Sequence, residues 1–391
     1  MRYNFDKVID RSGTSAEKVE GLKHIWGRTD LIPLWVADMD FATAPFVTDA
    51  IRKRCENEVL GYTGKPDSYY NAIINWVKQR YDLVVAKEMI NFVPGIVPGI
   101  GMAMNCFTQK GDKVMIQPPV YHPFAWVTTR NERTLVTNPL KWENGMYRMD
   151  LDAFRELIKG CKLFILCNPH NPGGVVWTEA ELRAIADICY DEKVLVFSDE
   201  IHADLTLPPH THRPFATVSE KARMNSVTFM SPSKAFNMPG LSASHALIFN
   251  EDLRKRFRIY MDAGELDMGH VFAFLSVEAA YSHGTEWLDQ CLAYIQGNID
   301  FVDEFLKKHA PKIKAIRPEA SYLVWLDCRE LELSQKDLNE FFVDKAHLAL
   351  NDGEMFGKEG IGFMRLNVAS PRCIIEKAMK QLADAYQLYI K

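Results

Sequence analysis

Hydrophobic positions along this chain follow two rhythms. Through the middle they fall in short unbroken runs: KVMIQP (113–118), KLFILCNP (162–169), KVLVFSDE (193–200), SVTFMSPS (226–233) and ASHALIF (243–249). Their β-branched content and abrupt ends predict buried strands. Between the second and third lies TEAELRAIADICYDE, where Thr178 and Glu181 have capping-box spacing and Leu182, Ile185 and Ile188 continue one apolar face. Strand, helix, strand is the sign of an α/β domain with a largely parallel sheet. The ends read differently. Residues 1–46 carry Pro33, Asp38, Asp40 and Pro45 in an extended pattern with little helical periodicity. Residues 287–391 show long helical patterns around YLVWLDC (322–328) and GFMRLNV (362–368) and finish in IIEKAMKQLADAYQLYI. The expectation is a large domain over 47–286 and one smaller α+β domain from 1–46 and 287–391.

Composition narrows the classes. The chain has 391 residues, 47% hydrophobic and 25% charged, which is ordinary globular material with room for two domains. A formal charge of -5 offers no basic field for nucleic acid. The start, MRYNFDKVIDRSG, lacks a signal peptide's apolar core, and no apolar run is long enough to span a membrane. The eight cysteines include no CxxC pair, so reduced thiols and a cytoplasmic location are expected. His210 and His212 read as a polar loop, since no other ligand stands at a suitable spacing for a metal.

The chemistry lies where the runs stop. In open parallel sheets ligands bind at the carboxyl ends of strands. After KLFILC comes Asn168-Pro-His-Asn171-Pro-Gly-Gly; after KVLVFS come Asp199, Glu200 and His202; after SVTFM come Ser231, Ser233 and Lys234. Singly each is ordinary: a turn, a helix cap, a solvated lysine. Together they suit one ligand. A lysine at a strand edge can attack an aldehyde once burial or a nearby cation lowers its pKa. A buried Asp199 needs a positive partner, such as a protonated pyridine nitrogen. The Asn171 amide can donate to a phenolate oxygen, and the hydroxyls of Ser231 and Ser233 suit a phosphate. These four groups describe pyridoxal 5′-phosphate (PLP) joined to Lys234 as a Schiff base.

Two further segments fit the same ligand. In FVPGIVPGIGMAMNCF (92–107), the backbone N–H groups of Ile96 and Val97 suit a phosphate at a helix start, though the stretch equally reads as a simple turn before a helix. QPPVYHPF (117–124) offers Tyr121 either as a ring stacked on the pyridine or as a packing residue. No G-x-x-x-x-G-K-[ST] or G-x-G-x-x-G pattern supports a nucleotide site.

With NPHNPGG, SDEIHADL and SPSKAFNMPG in this order, the chain resembles the fold-type I, aspartate-aminotransferase-like PLP enzymes over nearly its whole length. Within them it resembles the PatB/MalY group of cystathionine β-lyases, through PLWVADMDF (33–41), GYTGKPDSYY (61–70), His202, and FGKEGIGFMRLNVASPR (356–372). The resemblance implies a mostly parallel seven-stranded sheet flanked by helices, with a smaller α+β domain. It implies that Lys234 holds the cofactor, Asp199 pairs with the ring nitrogen and Asn171 binds the phenolate oxygen. Tyr121 would stack, and Ser231 and Ser233 would contact the phosphate. Tyr62 would reach the phosphate of a neighbouring subunit in a homodimer, and Arg365 would clamp the substrate carboxylate.

The sequence also departs from that pattern. His202 stands where aminotransferases usually have a tyrosine bonding the phenolate oxygen. AFNMPGLSAS lacks the arginine that often follows the lysine, and Ala320 replaces a common glycine, which could narrow the substrate pocket. The expected reaction is β-elimination of cystathionine or a related S-substituted cysteine to a thiol, pyruvate and ammonia. The alternatives are an aminotransferase, which would use the same lysine, and a regulatory protein that holds PLP without turnover.

Overall fold

The computed structural model describes residues 2–390. All five apolar runs form strands, and two further strands complete the sheet. In chain order they are β1 (Ile90–Val93), β2 (Lys113–Ile116), β3 (Thr134–Thr137), β4 (Cys161–Cys167), β5 (Leu195–Asp199), β6 (Ser226–Met230) and β7 (Ser244–Leu247). Their spatial order is β1-β7-β6-β5-β4-β2-β3. Strands β2 to β6 pair in parallel, whereas β7 runs antiparallel to both β6 and β1. That reversal positions part of the site. With Ser244 opposite Val93 and His245 opposite Met230, the start of β7 reaches the edge where its neighbours end.

Both faces of the sheet are covered, which is why its strands read as unbroken apolar runs rather than alternating ones. Along β4, Leu163 and Ile165 join a cluster with Ile100, Met104 and Phe257, while Phe164 and Leu166 pack on Leu182, Ile185 and Cys189. Burying each such side chain contributes about 1.5–3 kcal/mol. The helix Glu179–Asp191 starts on the expected capping box: Thr178 Oγ1 accepts the Glu181 amide at 3.2 Å, and Glu181 accepts the Thr178 amide at 2.9 Å.

A second sheet contains β8 (Lys314–Ile316), β9 (Leu323–Asp327), β10 (Asn351–Asp352) and β11 (Phe363–Asn367), ordered β8-β9-β11-β10 and antiparallel throughout. The runs YLVWLDC and GFMRLNV are therefore paired strands, with Leu323 opposite Asn367. Long helices, Thr285–His309 and Arg372–Tyr389, account for the helical patterns around them. One apolar cluster crosses residue 287: the Trp287 ring lies 5.6 Å from Phe5 and 5.8 Å from Phe236.

The first 46 residues correct one expectation, because Glu17–Trp26 is a helix. Its buried positions are Lys18, Gly21 and Leu22, so a lysine occupies the face where an apolar residue would have revealed the period. Residues 34–41 form an irregular strap that crosses from β11 to the loop after β6. Among the described residues no helix is long and apolar enough to cross a membrane.

Candidate active site

The edge where β4, β5 and β6 end surrounds a cavity of about 200 Å³. Its wall includes Ala37, Gly95, Ile96, Val97, Tyr121, Cys167, Asn171, Asp199, His202, Ser233 and Lys234. Asp199 is the last residue of β5 and is 3% exposed. One carboxylate oxygen accepts the Ile201 amide at 3.1 Å, and no ion pair reaches it among the described residues. Burial, with Glu200 alongside, raises its pKa to about 7, although the Ile201 amide and Lys234 pull the other way. A carboxyl group in this condition suits a cation inside the cavity, as a pyridinium nitrogen would be.

Lys234 lies four residues past the end of β6, partly buried, with its amine donating to the Ala37 carbonyl. Burial, then the charge of Arg365, lowers its pKa to about 8, while Asp38 and Asp199 act to raise it. Part of the population is therefore a neutral amine near neutral pH, as attack on an aldehyde requires.

Asn171 is oriented by its neighbour. Its Oδ1 accepts from Arg365 Nη1 at 3.0 Å, so its Nδ2 donor remains at the cavity wall without a partner among the described residues, ready for a phenolate oxygen. The turn that carries it depends on Gly174, whose φ is +67° and whose carbonyl accepts the amides of Glu319 and Ala320. A Cβ there would lie 2.5 Å from Pro318 Cβ and 2.9 Å from its Cα, so no larger residue fits.

Arg365 sits mid-strand in β11, 3% exposed, with no carboxylate beside it. Besides Asn171, it donates to the Trp35 carbonyl at 3.2 Å and to Asn351 Oδ1 at 2.5 Å, and it lies 4.8 Å from the Phe356 ring. Its Nε is buried without a partner. Burial lowers its pKa to about 10, a value at which it remains a cation. A buried guanidinium with a spare donor and no anion matches the carboxylate of an amino acid.

His202 is buried, with Nδ1 unpartnered. Burial, then the charges of Lys234 and Arg365, lower its pKa to about 3, so the ring is neutral. Tyr121 forms part of the wall, its ring edge-on to Phe124 at 5.7 Å. Burial raises its pKa. At the phosphate end, Gly95, Ile96 and Val97 open the helix Ile96–Phe107, whose first N–H groups lack helical acceptors. Ser233 stands in the same wall, and so do Ser242 and Ser244, which β7 delivers by its reversed direction. Lys234 is the only cation among the lining residues.

Four positions fall outside this wall, Arg365 among them, which meets it through the Asn171 side chain. Ser231 is another: its hydroxyl donates to the Ala243 carbonyl at 2.7 Å and accepts the Ser233 amide at 3.1 Å, so it braces the turn that presents Ser233. Tyr62 is 99% exposed and lines a separate open depression with Lys65, Met268 and His270. Ala320 is buried in a backbone bridge to Thr206 and does not narrow the cavity.

Sequence reasoning missed other contributors. Ser242 and Ser244 are readable in LSAS, the stretch after the lysine that lacks a phosphate arginine. Glu200 has a structural part. It accepts from Ser198 at 2.9 Å, from the Phe215 amide at 2.8 Å and from His212 at 2.8 Å, fixing the loop beyond β5. Ala37 acts through its carbonyl, which also accepts from the Tyr322 hydroxyl at 2.9 Å, and residue type gives no signal for that.

Known proteins share the sequence and the fold. The family model for aminotransferase class I and II matches residues 29–382. Cystathionine beta-lyase PatB of Bacillus subtilis is 38% identical, covering 98% of this chain and 99% of its own. The structure of cystalysin from Treponema denticola, which contains PLP, superposes with a TM-score of 0.96 at 33% identity, covering all of both chains. The PLP-bound C–S lyase of Staphylococcus hominis gives 0.91 at 35% identity, covering 99% of this chain and 98% of that one. The chain belongs to the aminotransferase class I and II family, and within it to the group that includes PatB.

Proposed function

We propose that this chain is a PLP-dependent C–S lyase that cleaves cystathionine or a related S-substituted cysteine into a thiol, pyruvate and ammonia. The observation that carries the reading is one small cavity lined by Lys234 and Asp199, with Arg365 bound to the Asn171 side chain of its wall; among the described residues none of these three buried or part-buried ionisable groups has an ion-pair partner. The full-length likeness to a cystathionine β-lyase and to C–S lyase structures selects elimination over amino transfer.

When bound, PLP supplies the electron sink that makes the α-proton of an amino acid removable. The chain's residues do the rest. Arg365 grips the carboxylate and so fixes which bond at the α-carbon faces the lysine. Lys234 takes the α-proton at Nζ, as its lowered pKa allows. Asp199 would hold the ring-nitrogen proton, and Asn171 would donate to the phenolate oxygen. His202, neutral and buried beside them, keeps the wall free of a further charge. Ser233 and the N–H groups of Ile96 and Val97 would hold the phosphate. Loss of the α-proton and departure of the thiolate from Cβ leave an enamine, whose hydrolysis yields pyruvate and ammonia.

Further parts of the reading belong to the same proposal. The chain works as a homodimer in the cytoplasm, and the exposed Tyr62 reaches the phosphate in the other copy. The chain divides into a large unit, 47–286, and a small one formed by 1–46 with 287–391. The test is an incubation with L-cystathionine, beside one with alanine and 2-oxoglutarate. Pyruvate matched by free thiol, with no glutamate from the second mixture, supports the lyase. Glutamate without thiol overturns it in favour of amino transfer.

A further inference from the structure

The strap Leu34–Phe41 lacks regular structure, yet side chains hold most of its carbonyls. Trp35 O accepts from Arg365 at 3.2 Å, and Ala37 O accepts from both Lys234 and Tyr322. Val36 O and Asp38 O both accept from Asn367 Nδ2, at 2.7 and 2.6 Å. Met39 O and Phe41 O accept from Asn237 Nδ2 at 3.0 and 2.7 Å. In an extended strand, carbonyls two residues apart lie about 6.6 Å from each other, too far to share one donor, so each asparagine holds the strap in a bend.

Charge fixes the strap from behind. Arg11 pairs with Asp38 at 2.6 Å and with Asp40 at 3.2 Å. Lys18 pairs with Asp40 at 2.8 Å, approaches Asp38 at 3.6 Å and donates to the Asp38 carbonyl at 3.3 Å. The Lys18 side chain is 0% exposed. Burying a lysine fully is costly unless its partners are in place, so this one holds its partners as firmly as they hold it. The residue it fixes adjoins Ala37.

We propose that the cluster of Arg11, Lys18, Asp38 and Asp40 is a positioning device for Lys234, acting through the strap backbone to fix the Ala37 carbonyl that the lysine amine hydrogen-bonds. The inference rests on the reading of Lys234 as the reacting amine. A neutral amine has two hydrogens and one lone pair. Giving a hydrogen to Ala37 sets the direction of the lone pair, and that direction decides how well the amine takes an α-proton. Because the acceptor is backbone, its place depends on the residues that hold the strap. Arg11 and Lys18 do not line the cavity, so they position the lysine without entering the chemistry.

The experiment compares Lys18→Met, Lys18→Arg and Arg11→Gln with wild type as holoenzymes. It measures kcat and KM for L-cystathionine and α-proton exchange of L-alanine in D2O, a substrate with no leaving group. Thermal midpoint and the rate of PLP uptake after cofactor removal are recorded on the same samples. A misplaced amine lowers kcat and alanine exchange together, by about 10–100-fold in Lys18→Met and about 3–10-fold in Arg11→Gln, with KM within about two-fold. PLP uptake slows as well, and Lys18→Arg recovers part of each loss. A lower thermal midpoint with kcat and exchange unchanged overturns the proposal and leaves the cluster purely structural. Should Lys18→Met not fold, Arg11→Gln decides alone, since that side chain is already 24% exposed. Wild type that exchanges alanine but releases no pyruvate from cystathionine defeats the lyase reading, while the variants still test the positioning.

Discussion

The two sides of the cavity are built on opposite plans. On one side, regular strands end at a common edge, and each delivers a different side chain: Asn171 after β4, Asp199 from β5, Lys234 after β6. On the other side, the strap Leu34–Phe41 has no ladder of its own and contributes carbonyls held by Asn237, Asn367 and the ion pairs of Arg11 and Lys18 with Asp38 and Asp40. The first side is fixed by hydrophobic burial along strands covered on both faces. The second is fixed by polar contacts that are individually weaker and mutually dependent. Substitutions at the strand edge should therefore remove chemistry. Those at the strap should degrade alignment and stability together.

The largest effect belongs to Lys234→Ala. Without the amine, pyruvate release should fall by about 10⁴-fold or more, while the thermal midpoint stays near wild type. Pyruvate release at the normal rate would remove Lys234 from the mechanism.

Asp199→Asn comes next, with a loss of about 10²–10³-fold as the ring-nitrogen proton loses its anion. It also carries a stability signature. Asp199 has a folded pKa near 7, above its unfolded value. Its contribution to stability is full below the unfolded pKa, near 4, and is lost as pH rises through about 7. Asparagine suffers no such loss. The cofactor-free variant should therefore exceed wild type by about 2–4 kcal/mol above pH 7, with the gap closing towards pH 4. Thermal melts across that range check it, and equal pH curves would show that Asp199 is not strained by burial.

Arg365→Lys keeps the charge but loses the planar fork. It should cost about 10–100-fold in kcat/KM, mostly through KM. Steady-state kinetics separates this from a general defect, which would lower kcat as well.

The strap should respond differently. Asn367→Ala leaves the Val36 carbonyl without its donor and the Asp38 carbonyl with Lys18 alone, and denaturant unfolding should show a loss of about 1–3 kcal/mol. Activity should fall by no more than about 10-fold, since no reacting group is touched. A loss as large as that of Asp199→Asn would erase the distinction between the two sides.

The same contrast explains what the sequence disclosed. The five buried runs, the capped helix at Thr178 and the polar residues at three strand ends were legible, because side-chain type carries both strand burial and strand-end chemistry. Strands β1 and β3 were not, the first running straight into a glycine-rich helix start and the second partly exposed. The helix Glu17–Trp26 was hidden by Lys18 on its buried face. Ser231 was placed at the phosphate because a hydroxyl's partner cannot be read from its neighbours in sequence; here that partner is a backbone carbonyl. The strap stood out only through resemblance, as PLWVADMDF, because a carbonyl has no residue type.

The most direct test of the central claim is to fix bound PLP with borohydride and locate it by peptide mass. The account predicts one label per chain, on the peptide carrying Lys234, lost in Lys234→Ala. Label on another lysine, or label retained by that variant, would contradict it.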